Sequence, residues 1–261
     1  MKKGQARYSR GYSPRHCPRS GKKKTFRKFK IIFAWILFLI LVLAYILFLS
    51  PIFKIKEIKI SDNRVISEED IRNSLDNQNN LFLATNSKLR DILFNDFPRI
   101  SSVDIDKDIF KKSIELKIVE RKEVGIFCNQ DCYYIDGEGV IFERAPQTSG
   151  VLILVIKDKS QNQAEIGKNV IPRELMINFL DLRNYLFSQL NLRAIDFIIE
   201  SGISEDIRVN TNEGWYILFD KSRDLKNQLQ ALELVLKEKI GEERKNLEYI
   251  DLRIENRAYY K

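Results

Sequence analysis

An uninterrupted apolar run near the N-terminus constrains this chain more than any other sequence feature. Residues 31–50 are twenty consecutive residues without a charge. At about 1.5 Å per residue, a helix of this length spans the hydrocarbon core of a bilayer, which is about 30 Å thick. A soluble core helix is a weaker interpretation, because apolar residues occupy every helical face. A cleaved signal peptide would have a shorter apolar region and a small-residue cleavage site. The sequence therefore predicts an uncleaved transmembrane signal anchor at residues 31–50.

The positive charge of the chain is concentrated before that run. Residues 1–30 contain twelve Lys and Arg residues and no acid, whereas the remaining residues contain 32 basic and 36 acidic side chains, a net charge of −4. Glycines and prolines without apolar periodicity predict a disordered segment over residues 1–30. Its cations predict a cytoplasmic N-terminus and attraction to anionic lipid, and nucleic-acid binding is the alternative. The expected topology is a single-pass type II protein of the cell (inner) membrane, with its bulk outside the cytoplasm.

The predicted topology places Cys17 on one side of the membrane and Cys128 and Cys132 on the other. Cys17 lies beside His16 in the tail, and a lone His-Cys pair lacks the four ligands of a structural zinc site, so no metal site is predicted. Cys128 and Cys132 flank three polar residues that are typical of a hairpin loop. Residues that face each other across a hairpin have Cα atoms about 4.5–5.5 Å apart, which a disulfide tolerates. We expect a Cys128–Cys132 disulfide on the oxidising side of the membrane, with two small hydrophobic residues as the alternative.

Residues 57–121 have the pattern strand, helix, helix, strand, strand. Ser67 is a good N-cap for a helix whose first turn is acidic, and a second helical repeat begins at Asn86 or Ser87 and ends before Pro98. Apolar residues alternate with charged ones in the last two strands, at Val103, Ile105 and Ile109 and then at Ile114, Leu116 and Ile118. This pattern predicts a sheet with helices on one face and water on the other.

The rest of the chain predicts a β-rich domain with two helices. Leucines at helical spacing over residues 172–190 and 225–240 predict two amphipathic helices. A continuous apolar run over residues 151–156 predicts a strand buried on both faces before them, alternating strands lie between them, and a last alternation over residues 249–254 closes the chain. The expected fold class of the whole chain is therefore α+β.

The β-α-α-β-β order resembles a POTRA module, and several short sequences resemble its FtsQ/DivIB form. The resembling segments are residues 58–63 (IKISDN), 66–71 (ISEEDI), 80–82 (NLF), 97–100 (FPRI), 116–121 (LKIVER) and 134–142 (YIDGEGVIF). The family has an aromatic residue where Arg99 stands. The resemblance covers most of residues 22–261 and implies a POTRA domain at residues 52–121 and a β domain at residues 122–261.

The resemblance also implies a function. A member of this family is expected to be a bitopic cell-division scaffold at the division septum. It would link FtsB/DivIC-like and FtsL-like partners to the septal wall-synthesis machinery, and it would need no cofactor.

No sequence pattern supports an enzyme. The single histidine, His16, lies in the tail, which leaves no Ser/His or Cys/His pair in the folded part. No glycine-rich phosphate loop or helical zinc motif occurs, so we predict no catalytic or cofactor-binding residues, no small-molecule substrate and no nucleic-acid partner. A POTRA-bearing component of a translocation or secretion system is the main alternative, and an anchored cell-wall hydrolase is a third.

The last strand is the predicted partner-binding segment. A final strand is expected at a sheet edge, where one row of N–H and C=O groups is unpaired and can recruit an extended segment. In this strand, Ile250, Leu252 and Ile254 are expected to face the core. The resemblance places partner contacts on Arg253, Ile254, Glu255 and Asn256, with Tyr259 and Tyr260 as apolar anchors.

Arg253 is the leading candidate among these residues. Its planar guanidinium is expected to hold a partner carboxylate bidentately, and Arg253→Glu is expected to leave the thermal stability nearly unchanged. The alternative is that the strand merely closes the sheet and its charges are solvated.

Overall fold

The structure is a computed structural model that describes residues 22–159, 163–199, 206–255 and 257–261. The chain divides into two compact units, Met1–Lys54 and Ile55–Lys261. The α-helices in the described residues are α1 (Lys22–Phe48), α2 (Glu68–Ser74), α3 (Asn86–Asp96), α4 (Arg173–Leu190) and α5 (Leu225–Val235). A π-helical segment, Leu236–Ile240, continues α5 to the end of the predicted helix, and short 3-10 helices lie at Pro51–Phe53 and Gly241–Asn246. The strands are β1 (Glu57–Ser61), β2 (Ile100–Asp108), β3 (Ser113–Glu120), β4 (Gly125–Cys128), β5 (Cys132–Ile135), β6 (Ile141–Arg144), β7 (Leu154–Asp158), β8 (Ala194–Ile199), β9 (Asp206–Thr211), β10 (Tyr216–Asp220), β11 (Tyr249–Asp251) and β12 (Tyr259–Tyr260).

Helix α1 has the length and composition of a membrane span. Its segment Lys28–Phe48 has 21 residues and a mean hydropathy of 3.1, and its apolar side chains are exposed around the helix. The helix begins at Lys22, so the predicted disordered tail is wrong for residues 22–30. Lys and Arg are good helix formers, and a helix nucleated in the apolar run extends through them. Residues 1–21 of the predicted tail lie outside the described residues.

The first domain of the second unit is a three-stranded sheet in the order β1-β3-β2. Strand β1 is parallel to β3, and β2 is antiparallel to it. Helices α2 and α3 bury Ile71 and Leu89 in a shared core with Leu116 of β3. The Ser67 and Thr85 side chains cap these two helices by accepting from the backbone N–H groups three residues later. The predicted β-α-α-β-β order is confirmed.

The turn between β2 and β3 differs from the prediction. Ile109 was expected to face the core, but β2 ends at Asp108 and Ile109 is 48% exposed. The Asp108 carboxylate accepts from the N–H groups of Phe110 at 3.0 Å and Lys111 at 2.9 Å. Lys112 has a φ of 57°. This turn chemistry ends the alternation one residue earlier than the apolar pattern suggests.

The second domain contains a sheet whose described strands run in the order β12-β11-β10-β9-β8-β7-β4-β5-β6. Helices α4 and α5 cover one face, where Phe179 and Leu232 share a core with Phe197, Trp215 and Ile217. The predicted β-rich domain with two helices is confirmed. At the tip of the β4–β5 hairpin, Cys128 faces Cys132, and a disulfide joins them with a Cα–Cα distance of 4.1 Å.

Two arginines connect the two domains. The Arg121 guanidinium lies 2.6 Å from the Asp136 carboxylate and also donates to the Pro98 carbonyl at 3.1 Å. Arg99 lies 5.0 Å from the centroid of the Phe142 ring and 2.6 Å from the Glu143 carboxylate. The flat guanidinium of Arg99 therefore packs on an aromatic ring of the second domain.

Candidate partner-binding edge

The C-terminal end of the large sheet has a different strand arrangement from the predicted one. Strand β11 lies between β10, to which it is parallel, and β12, to which it is antiparallel. The prediction that the strand over residues 249–254 forms the open edge is therefore wrong. The chain reverses after β11, and the Arg257 N–H donates to the Ile254 carbonyl at 3.3 Å in this turn. The two residues of β12 then cover β11, so that β12 is the outermost strand of the described sheet.

Arg253 follows β11 and is already engaged by carboxylates of its own chain. Its guanidinium lies 2.9 and 2.7 Å from the two Asp251 oxygens and 2.5 Å from Asp206. The Arg253 hydrogen bonds hold the pKa of Asp251 below its usual value, and the two carboxylates in turn raise the pKa of Arg253. These contacts engage both sides of the Arg253 guanidinium, so the predicted bidentate contact with a partner carboxylate would require Arg253 to exchange partners, and that contact stays a prediction.

The other predicted contact residues occupy three kinds of position. Ile254 was expected to face the core, as Ile250 and Leu252 do, but it lies beyond the strand and is 50% exposed. Glu255 is exposed in the same turn, and Asn256 lies outside the described residues. Tyr259 and Tyr260 form β12 and are about half exposed, at 46% and 47%. The structure therefore brings exposed apolar groups to both the turn and the edge strand.

One residue of β12 directs its backbone N–H and C=O groups away from the sheet. Lys261 exchanges two hydrogen bonds with Tyr249, at 3.2 and 3.4 Å. In an antiparallel ladder the direction of the backbone groups alternates from one residue to the next. The N–H and C=O of Tyr260 therefore point away from β11. An arriving strand would find one donor and one acceptor there.

A stack of side chains that the sequence reasoning missed lies beside this edge. The Arg208 guanidinium lies 3.8 Å from the centroid of the Tyr216 ring, which stacks on Tyr249 with a centroid distance of 5.7 Å. These residues alternate with Val209, Ile217 and Ile250, which pack toward α4 and α5, so the stack lies on the opposite face of the sheet. The alternation of apolar and polar residues in these strands indicates that the stacked side chains share the outer face of the sheet. It does not indicate that β10 and β11 pair, which is what makes Tyr216 and Tyr249 neighbours.

The described residues contain no group of three or more His, Cys, Asp or Glu side chains that could hold a metal ion. The chemistry available at the edge is hydrogen bonding, aromatic contact and charge pairing. Such chemistry is suited to binding an extended polypeptide.

Comparisons with known proteins agree with this architecture. Residues 53–121 match the family model of the POTRA domain, FtsQ-type, and residues 127–253 match that of cell division protein FtsQ/DivIB, C-terminal. The cell division protein DivIB of Clostridium tetani is 31% identical over 207 residues, which cover 70% of this chain and 76% of that protein. The DivIB protein of Clostridium acetobutylicum is 27% identical over 123 residues, which cover 46% of this chain and 49% of that protein. The second family match ends at Arg253 and so does not include β12.

Proposed function

This chain belongs to the FtsQ/DivIB family of cell-division proteins, and we propose that it acts as a membrane-anchored scaffold of the division machinery. It recruits FtsB/DivIC-like and FtsL-like partners and links them to septal wall synthesis, by binding and without catalysis. The observation that carries the proposal is the exposed edge of β12, on a domain of the matched family.

The proposed topology places the N-terminus in the cytoplasm and the two folded domains outside it, at the division septum. It is supported by the apolar helix α1 and by the twelve cations of residues 1–30. The Cys128–Cys132 disulfide also favours an oxidising compartment for the second domain. A reporter fused after Lys261 should be active outside the cytoplasm, and activity only inside the cytoplasm would contradict this orientation.

We propose that the partner adds an extended segment to β12. The N–H and C=O of Tyr260 would supply the first backbone hydrogen bonds, and the half-exposed rings of Tyr259 and Tyr260 would bury apolar area against the partner. Ile254 and Glu255 would contact the partner from the turn, and we propose a partner contact for Asn256 as well. In this arrangement Arg253 supports the edge through Asp251 and Asp206 and does not bind the partner directly.

A pair of substitutions at Tyr260 tests this edge. Tyr260→Ala removes the ring and keeps the outward N–H, whereas Tyr260→Pro removes both. Proline is tolerated in an edge strand where the missing N–H faces solvent. The affinity of the full-length protein for its purified FtsB/DivIC-like partner should fall for Tyr260→Ala and fall further, by about 1 kcal/mol, for Tyr260→Pro.

Two outcomes decide the test. Thermal unfolding of both variants should match that of the unmodified chain, because the Tyr260 N–H makes no bond to β11. If Tyr260→Pro folds normally and binds the partner as well as Tyr260→Ala does, the partner does not pair with this edge.

A further inference from the structure

The tip of the β2–β3 hairpin, residues 109–112, carries an unusual set of exposed side chains. Phe110 is 98% exposed and Ile109 is 48% exposed, and the two lysines Lys111 and Lys112 follow them. Single exposed apolar residues are common, but two adjacent ones at a turn leave a large apolar surface in water. Neither residue belongs to the core of the first domain.

The turn holds these side chains in place. The Asp108 carboxylate accepts the N–H groups of Phe110 and Lys111 and also lies 3.3 Å from the Lys111 ammonium. These backbone hydrogen bonds, together with the Lys111 charge, keep the pKa of Asp108 below its usual value despite the opposing effect of burial. The Asp108 charge is therefore directed into the turn and compensated there, while Phe110 projects outward.

Only a short chain segment separates the start of the first domain from the apolar helix α1. The Lys56 N–H donates to the Lys112 carbonyl at 2.9 Å, so the start of β1 is fixed beside the tip. Only residues 49–55 separate Lys56 from the last residue of α1, Phe48. Eight chain steps reach at most about 28 Å, which limits how far Lys56 can lie from the end of the membrane span.

The charges beside the tip fit a lipid surface. Lys56, Lys111 and Lys112 provide three cations against Asp108 and Glu57, and Lys111 pairs with Asp108 but keeps a side chain that is 79% exposed and accessible to a headgroup. Apolar and aromatic side chains flanked by lysines are typical of segments that lie at the interface of an anionic bilayer. A protein partner is less favoured, because the tip is short and convex and offers no groove.

We infer that the hairpin tip is a second membrane contact, in which Phe110 and Ile109 enter the interfacial region and Lys111 and Lys112 bind anionic headgroups. The contact fixes the orientation of the first domain relative to the membrane surface. This membrane contact requires that α1 is anchored in the membrane, as proposed above, but it does not depend on which partner binds at β12.

Fluorescence quenching of a label at the tip tests this contact in the full-length protein. Cys17→Ser leaves the bridged cysteines as the only native ones, and an environment-sensitive fluorophore is attached at Phe110→Cys. The chain is reconstituted in phosphatidylcholine nanodiscs with or without phosphatidylglycerol. In anionic discs, spin-labelled lipid should quench the label and aqueous iodide should not. A label at Leu152→Cys, where the native side chain is 92% exposed, should show the reverse.

Two further variants test the separate contributions. With the label moved to Lys111→Cys, Phe110→Ser should lower the ratio of lipid-contacting to water-exposed label by about tenfold or more. With the label at position 110, Lys111→Gln and Lys112→Gln should each lower that ratio by about fivefold in anionic discs.

Three results would overturn the inference. The first is a label at position 110 that is as accessible to iodide in anionic discs as the label at position 152. Protection that appears only after another division protein is added would show a protein contact. Equal lipid contact in uncharged discs would contradict the role of the lysines.

Discussion

Replacing Asp136 by alanine should destabilise the protein strongly, because Asp136 holds the junction between the POTRA domain and the β domain. Its carboxylate accepts from Arg121 at 2.6 Å and from the N–H groups of Glu138 and Val140 at 3.0 and 2.9 Å. The side chains of Arg121 and Asp136 are only 16% and 7% exposed. Asp136→Ala would therefore leave a buried guanidinium without its counter-charge.

The expected loss follows from this burial. Removing one partner of a buried ion pair lowers the free energy of unfolding by about 3–5 kcal/mol. The two backbone N–H groups belong to exposed Glu138 and partly buried Val140, which water can reach, so their loss should add less than about 1 kcal/mol each. We expect the free energy of unfolding to fall by about 3–5 kcal/mol. Asp136→Asn should cost less, because the amide oxygen can still accept from the backbone.

Urea unfolding of the full-length protein in detergent measures this loss. With Trp35→Phe as the background, the fluorescence reports on Trp215, which is 1% exposed in the core of the β domain. Glu138→Ala is a matched control, since it breaks an ion pair with Arg173 whose side chains are more than half exposed, and it should cost less than about 1 kcal/mol. A loss as small as the control's would refute the reasoning that this junction is held by a buried charge pair.

Three further predictions concern the C-terminal edge and the hairpin disulfide. In contrast to the expectation from the sequence, Arg253→Glu should lower the free energy of unfolding by about 2 kcal/mol, because it places a third carboxylate beside Asp251 and Asp206; unchanged urea unfolding would contradict the ion-pair network. The Arg253 hydrogen bonds lower the pKa of Asp251 in the folded state, so their stabilisation should be present above the unfolded pKa of about 3.9 and be lost as the pH falls through the folded value. Urea unfolding as a function of pH should show this acid-dependent loss, and Arg253→Gln should reduce it. Mass spectrometry of unreduced, alkylated protein should recover Cys128 and Cys132 as a bridged pair, and two alkylated thiols would argue against the disulfide.

The sequence was most informative where structure is determined by neighbouring residues. Ser67 and Thr85 show how local side-chain capping sets the beginning of a helix. The alternation of Leu116 with charged residues likewise identifies β3 and its buried face. These features depend on contacts a few residues apart, so the β-α-α-β-β order could be predicted without knowledge of the sheet.

The edge of the large sheet could not be predicted in the same way. Strand β12 contains only Tyr259 and Tyr260, which is too short to show a period of two. Its position depends on a chain reversal after Ile254. The ion pairs of Arg253 could not be predicted for a similar reason. Asp251 is only two residues away in the sequence, but Asp206 becomes a neighbour of Arg253 only because β9, β10 and β11 lie side by side in the sheet. Sequence reasoning did not anticipate that Arg253 pairs with two carboxylates of its own chain.

Arg99 shows a further limit of local reasoning. An arginine in place of the family's aromatic residue suggests lost packing, yet its guanidinium lies over the Phe142 ring, 5.0 Å from the centroid, and pairs with Glu143. Arginine can replace an aromatic ring in this position because it combines a planar surface with a charge. The ring and the carboxylate that make this replacement work both belong to the other domain, so the compensation is visible only in the folded chain.

The two sheets differ at the edges formed by β2 and β12, and under the proposed function this difference would allow strand binding without aggregation. Side chains of α3 cover the outer edge of β2, where Arg90 donates to the Val103 carbonyl and Asn86 to the Ile105 carbonyl, both at 3.4 Å. Carbonyls that already accept a hydrogen bond are poor templates for another strand. At the other sheet, β12 leaves the backbone of Tyr260 open but is only two residues long. Such a short edge gives too few backbone bonds for stable pairing by itself, so selective binding requires the adjoining side chains of the turn and of β12. Under the proposed function, the backbone would make strand pairing possible and the side chains would determine which partner binds.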